Sequence, residues 1–117
     1  MAIKNSQQAI SLSARTTTYT GSTLNVPSQV KQLAAQLIAT KNAGTNPTLD
    51  VIVQHSLDGT NWETLLTFTQ VTTGTNVVES KKNKYSDAII FPYIRGKATI
   101  GGTDSPSYDI NLIIYFE

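Results

Sequence analysis

The sequence predicts an all-β protein: a two-sheet antiparallel β-sandwich, jelly-roll-like, with a flexible N-terminal arm. Three observations predict it. Charged residues are only 15% of the 117-residue chain while threonine fills 17 positions, a balance that suits Thr-faced strands better than helices, whose exposed sides carry more Lys and Glu. In the stretch Leu49–Leu66, LDVIVQHSLDGTNWETLL, Val51, Val53 and His55 alternate with Ile52, Gln54 and Ser56 ahead of an Asp-Gly dipeptide, and Trp62 opens a second arm through Leu65 and Leu66, the pattern of a hairpin. Turn signals recur about every eight to twelve residues, dividing the chain into roughly seven or eight short strands.

Residues 1–8 contain only Met1, Ala2 and Ile3 as apolar groups, too few to join a core, so they form an arm ahead of a single domain over residues 9–117. Fully extended, eight residues reach roughly 26 Å, far enough to lie on a neighbouring subunit. Ile3, Lys4 and Asn5 are therefore the candidate partner contacts. In the next segment Ile10, Leu12 and Ala14 alternate with Ser11, Ser13 and Arg15, which starts the first strand. Thr20-Gly21-Ser22 marks a turn, and Leu24 and Val26 form a short strand ending at Pro27.

Residues 28–42 read two ways. Val30, Leu33, Ala34, Leu37 and Ile38 fall at helical spacing with Ser28 as a cap, and composition favours a helix. Leu33, Ala35, Leu37 and Ala39 also alternate, and both neighbouring segments are β. Strand is the reading adopted, with 42–47 as a hairpin loop. Asp58-Gly59 supplies the next turn, because glycine takes positive φ without a steric penalty and Asp bonds locally. Trp62 opens the returning strand and packs over the edge of the core. After a turn at Thr73-Gly74-Thr75, residues 79–87 are polar and loop outward. Residues 88–100 form a strand that Pro92 restricts to an edge, a bulge or a strand start. Residues 101–106 are a turn or loop, and Tyr108–Phe116 alternates Ile110, Leu112 and Ile114 against Asn111, Ile113 and Tyr115.

Function is less legible. The chain has no cysteine, which excludes disulfides and thiolate chemistry. A net charge of +1 argues against nucleic-acid binding, which requires several cations to displace counterions from phosphates. Lys81, Lys82 and Lys84 form a solvated cluster. No apolar run approaches the ~18 residues of a membrane span, and the N-terminus lacks the apolar core of a secretory signal, so the chain is expected to fold first in the cytosol. His55 is the single histidine and has no companions at ligand-like spacing. Asp58 and Asn61 offer oxygen ligands but lack the further acidic positions of a calcium loop. Gly101-Gly102 is not followed by the helix, Lys and Ser/Thr of a phosphate loop. The sequence thus predicts no catalytic residue, no metal site and no cofactor. Trp62 with Tyr85, Tyr93, Tyr108 and Tyr115 leaves open a carbohydrate-binding surface.

Two runs, Thr48–Leu65 (TLDVIVQHSLDGTNWETL) and Pro92–Tyr108 (PYIRGKATIGGTDSPSY), resemble a pattern in small β-sandwich virion proteins of tailed bacteriophages. There a leucine-aspartate strand, a serine-x-aspartate-glycine turn and a tryptophan precede a tyrosine-isoleucine-arginine strand and a glycine-glycine-threonine turn. The resemblance spans residues 30–116. It implies a capsid decoration (cement) protein or a head–tail accessory, located on the capsid surface of a virion assembled in the host cytoplasm. Its implied partners are the major capsid protein and further copies of itself, as a homotrimer. It implies no catalytic residues. The alternative is a carbohydrate-binding or tail accessory module.

Overall fold

The computed structural model describes residues 5–28, 30–84 and 90–117. Along Leu33–Ala39 every second side chain is buried: Leu33, Ala35, Leu37 and Ala39 are each at most 2% exposed. That period-2 burial settles residues 32–42 as strand, because a helix would bury residues three and four apart instead. The elements are β1 (Asn5–Arg15), β2 (Tyr19–Thr20), β3 (Leu24–Asn25), β4 (Gln32–Ser56), β5 (Glu63–Thr67), β6 (Val77–Lys84) and β7 (Tyr93–Phe116). All described pairings are antiparallel, and no helix occurs among the described residues.

Two long strands organise the molecule. β4 and β7, of 25 and 24 residues, pair from Leu33↔Phe116 to Ser56↔Tyr93. Register shifts at Lys41/Ala43, Ala43/Thr45 and Thr45/Thr48 interrupt the ladder at its middle. The loops expected at 42–47 and 101–106 are therefore bulged bends inside continuous strands, since the residue types that close a turn also make a bulge. Gly44 (φ 113) and Gly102 (φ 116) occupy these bends. A Cβ on Gly44 would lie 2.6 Å from Cα of Pro106, and one on Gly102 2.8 Å from Cα of Pro47. Each glycine thus accommodates the backbone of the opposite strand as well as a positive φ.

The bend divides one unclosed seven-stranded sheet into two arms. In the first arm the order is β1, β7 (107–116), β4 (32–41), β6. In the second, β2 and β3 flank β7 (93–101), followed by β4 (48–56) and β5. The arms fold toward each other: a Cβ on Gly96 in the second would lie 2.7 Å from Cδ2 of Leu112 and 3.1 Å from Cδ1 of Ile10 in the first. Between them lies the core of Ile10, Leu33, Leu37, Leu49, Val51, Val53, Ile94, Ile110, Leu112, Ile114 and Phe116. Each such side chain contributes about 1.5–3 kcal/mol of burial. Tyr108 ties in the segment before β6: its buried hydroxyl donates to the carbonyl oxygens of Val71 (3.1 Å) and Thr72 (3.0 Å).

Two further expectations change. The described part of the arm predicted over residues 1–8 is strand: Asn5, Ser6, Gln7 and Gln8 pair with Phe116, Tyr115, Ile114 and Ile113. An edge strand is held by backbone bonds and needs few apolar side chains, so composition misled here. Residues 79–84, expected to loop outward, pair with Leu37–Gln32 as most of β6. Lys81 and Lys82 are the usual protection of an exposed sheet edge. Residues 1–4, and residues 85–89 of the loop and strand predicted there, lie outside the described residues. Pro92 directly precedes β7, the strand start it permits.

Candidate functional site

The turn between β4 and β5 carries the densest polar network. Asp58 Oδ1 accepts from the backbone N–H groups of Thr60 and Asn61 (both 2.8 Å) and from the Ser56 hydroxyl (3.0 Å). Its Oδ2 accepts from Asn61 Nδ2 at 2.7 Å. These bonds, led by the Asn61 and Thr60 N–H groups, hold the Asp58 carboxyl well below the usual carboxylate range. Gly59 sits at φ 78, and its N–H donates to Ser56 Oγ at 2.9 Å. Both Asp58 oxygens thus serve the turn, and no group of three metal-ligating side chains occurs among the described residues.

Trp62 is half-buried. The Arg95 guanidinium stacks on its ring, 4.2 Å from the centroid, and Arg95 Nε donates to Gln54 Oε1 at 2.8 Å. Arg95 arrives from β7 as the register partner of Gln54. Alternation along β7 places Tyr93, Arg95, Lys97 and Thr99 on the outer face of the second arm, beside Asp50, Ile52 and Gln54 of β4. This face carries two cations, Arg95 and Lys97, one anion, Asp50, and the Tyr93 ring.

His55 points the other way and is 7% exposed. It stacks on Phe91 with ring centroids 4.0 Å apart, and its Nδ1 accepts from the Phe91 N–H at 3.4 Å. Burial lowers its pKa, partly opposed by the nearby Glu63 carboxylate. The Ser56 hydroxyl bonds Asp58 and leaves His55 alone, so the chain neighbours do not form a nucleophile and base.

The outer face of the first arm differs. Tyr115, Ile113, Asn111 and Asp109 of β7 lie beside Ala34, Gln36, Ile38 and Thr40 of β4, with Lys82, Ser80 and Val78 of β6 beyond. Val78 is 56% and Ile113 37% exposed. The face is shallow: its groove, of about 310 Å³, runs between Gln32, Ala34, Lys82, Tyr115 and Glu117. Asp109 at one end accepts from Ala14 N–H and Asn42 Nδ2, both at 2.8 Å, and these bonds lower its pKa.

Of the residues selected from sequence, Asp58, Gly59 and Trp62 come together at the turn. Asn5 lies on the other arm opposite Phe116, and Ile3 and Lys4 fall outside the described residues. Sequence reasoning did not select Arg95, Gln54, Val78 or Ile38. The signal for Arg95 was the period-2 spacing of Tyr93, Arg95 and Lys97. No helix among the described residues is long and apolar enough to cross a membrane. No family model, curated protein or solved structure matches the chain.

Proposed function

We propose that this chain is a non-enzymatic structural protein of a tailed-phage virion, a decoration protein that stabilises the head by binding the major capsid protein. The observation that carries the reading is the pair of broad, low-relief outer faces on a bent sheet whose chemically distinctive groups are engaged within the fold. Asp58 holds a turn, and His55 is buried against Phe91. Flat faces suit protein–protein contact, whereas small-molecule sites are concave. In this reading the arms are the two layers of a jelly-roll-like sandwich, and Ile3, Lys4 and Asn5 contact the capsid.

The test adds purified protein to heads lacking decoration and counts bound copies per particle, followed by release of DNA on heating. Saturable binding with raised heat resistance is expected, and removal of residues 1–4 lowers the bound copies. Absence of binding to heads, with binding to tails, overturns the capsid assignment. The second reading, a carbohydrate-binding module, draws on Trp62 with Arg95 and Gln54 beside it. It competes poorly because Arg95 already covers one face of the indole. Retention on a glycan surface that is lost in Trp62→Ala would favour it.

A further inference from the structure

We infer that Arg95, with Lys97 beside it, forms an oxyanion-binding site on the outer face of the second arm, whose ligand is a single phosphate or carboxylate group. The inference goes beyond the virion reading and does not depend on it.

The first observation is how Arg95 is held. Its guanidinium lies on the Trp62 ring, 4.2 Å from the centroid, and its Nε donates to Gln54 Oε1 at 2.8 Å. Both partners are neutral. They fix the side chain, so much of the conformational entropy that an arginine loses on gripping a ligand is already lost in the folded chain. They also leave its charge unbalanced. The N–H groups of both η nitrogens have no acceptor among the described residues. With Nε engaged, the open edge of the guanidinium is the pair of η nitrogens, whose parallel N–H groups match two oxygens of one carboxylate or phosphate.

The second observation is a further cation. Lys97 follows Arg95 on the same face of β7, roughly 7 Å along the strand, close enough for its long side chain to share an anion seated at Arg95. Lys97 has no ion pair either. Among the described residues the one salt bridge joins Lys81 to Glu79, at 3.9 Å on the first arm.

The third observation is where the acids stand. Asp50 lies one row beyond Lys97, and both its oxygens accept from Gln70 Nε2 at 3.1 Å. Asp58 is bonded within its own turn. Glu63 shares a row with His55 and not with Gln54. None of the three forms an ion pair with Arg95. Together they oppose a ligand of many charges, such as a nucleic-acid strand, and so confine the site to one anionic group.

Two-dimensional NMR of the isotope-labelled full chain, titrated at constant ionic strength, tests the inference. The probes are inorganic phosphate and acetate, with chloride as the reference salt. The Trp62 indole N–H and the Arg95 Nε–H are expected to shift saturably, with phosphate in roughly the millimolar range and acetate more weakly. Phosphate affinity is expected to fall about tenfold in Arg95→Gln and roughly threefold in Lys97→Gln, and to stay unchanged in Lys82→Gln. Circular dichroism reports whether each variant is folded. Should Arg95→Gln unfold, the parent decides, by whether its saturating shifts centre on Trp62 and Arg95. Shifts there with phosphate alone support the inference and assign a phosphate ligand, and an equal response to acetate supports it and assigns a carboxylate. The absence of a saturable shift, shifts centred elsewhere, or an affinity indifferent to Arg95→Gln overturns the inference.

Discussion

The two arms share β4 and β7 yet are finished differently. The first arm is flanked by strands of 11 and 8 residues and presents mainly uncharged side chains outward, between Lys82 at one end and Asp109 at the other. The second is flanked by strands of 2, 2 and 5 residues, presents cations and aromatics outward, and ends in a turn locked by Asp58. Both pack the same kind of aliphatic inner face. The difference teaches that the core is common to the two arms, while individuality resides in the edges, the outer faces and the bend between them.

The bend is where the comparison breaks most violently. Gly44 and Gly59 both adopt positive φ, but a Cβ on Gly44 meets the Pro106 backbone at 2.6 Å whereas one on Gly59 finds the Tyr93 ring at 3.7 Å. Gly44→Val is expected to cost more than ~3 kcal/mol, since steric overlap adds to left-handed strain. Gly59→Val is expected to cost about 1–2 kcal/mol from strain alone. Urea denaturation of the pair checks the order, and equal losses would show that the bend is not sterically special.

Next in size is the contrast between inner and outer faces at adjacent residues. Leu112 is fully buried between the arms, and Leu112→Ala is expected to lose about 2–5 kcal/mol. Ile113→Ala, on the outer face, is expected to change stability by less than about 0.5 kcal/mol in the monomer. A large loss at Ile113 in dilute solution would mean that the face is covered within the subunit.

On the second arm, Trp62→Ala is expected to cost about 1–2 kcal/mol, the sum of partial burial and the Arg95 stack. Arg95→Ala should recover only the stacking part. A double-mutant cycle between them measures the coupling, and a value of zero would show the stack to be idle.

The smallest effects are those of pH. His55 and Asp58 both have folded pKa values below their unfolded ones, so each contributes stability that is present above its unfolded pKa and lost as pH falls. The His55 contribution declines first, below about pH 6.5, and that of Asp58 declines below about pH 3.9. Melting temperature against pH should show the first decline in the parent and lack it in His55→Phe. A parent melting temperature that rises on acidification through this range would reverse the assignment.

How much was legible follows from how local each signal is. The Asp58-Gly59 turn was legible because its hydrogen bonds run between residues 56 and 61. The fate of Trp62 was not, because Arg95 comes to it from a different strand. The polar composition of residues 79–84 said that they face water, and it did not say that their backbone completes a sheet edge.

By itself the sequence determined the all-β class, the hairpin at Gly59 and the aliphatic inner faces, since period-2 alternation and turn chemistry act within a few residues, whereas Leu33–Ala39 satisfied helical and strand spacing alike until burial in the sheet decided for strand. Only the tertiary structure decided that 42–47 and 101–106 bend without breaking their strands. Asn-Ala-Gly-Thr-Asn-Pro and Gly-Gly-Thr-Asp-Ser-Pro satisfy a loop and a bulge equally well. The choice falls to the partner strand, whose proline backbone seats against each glycine and keeps the ladder continuous through the bend.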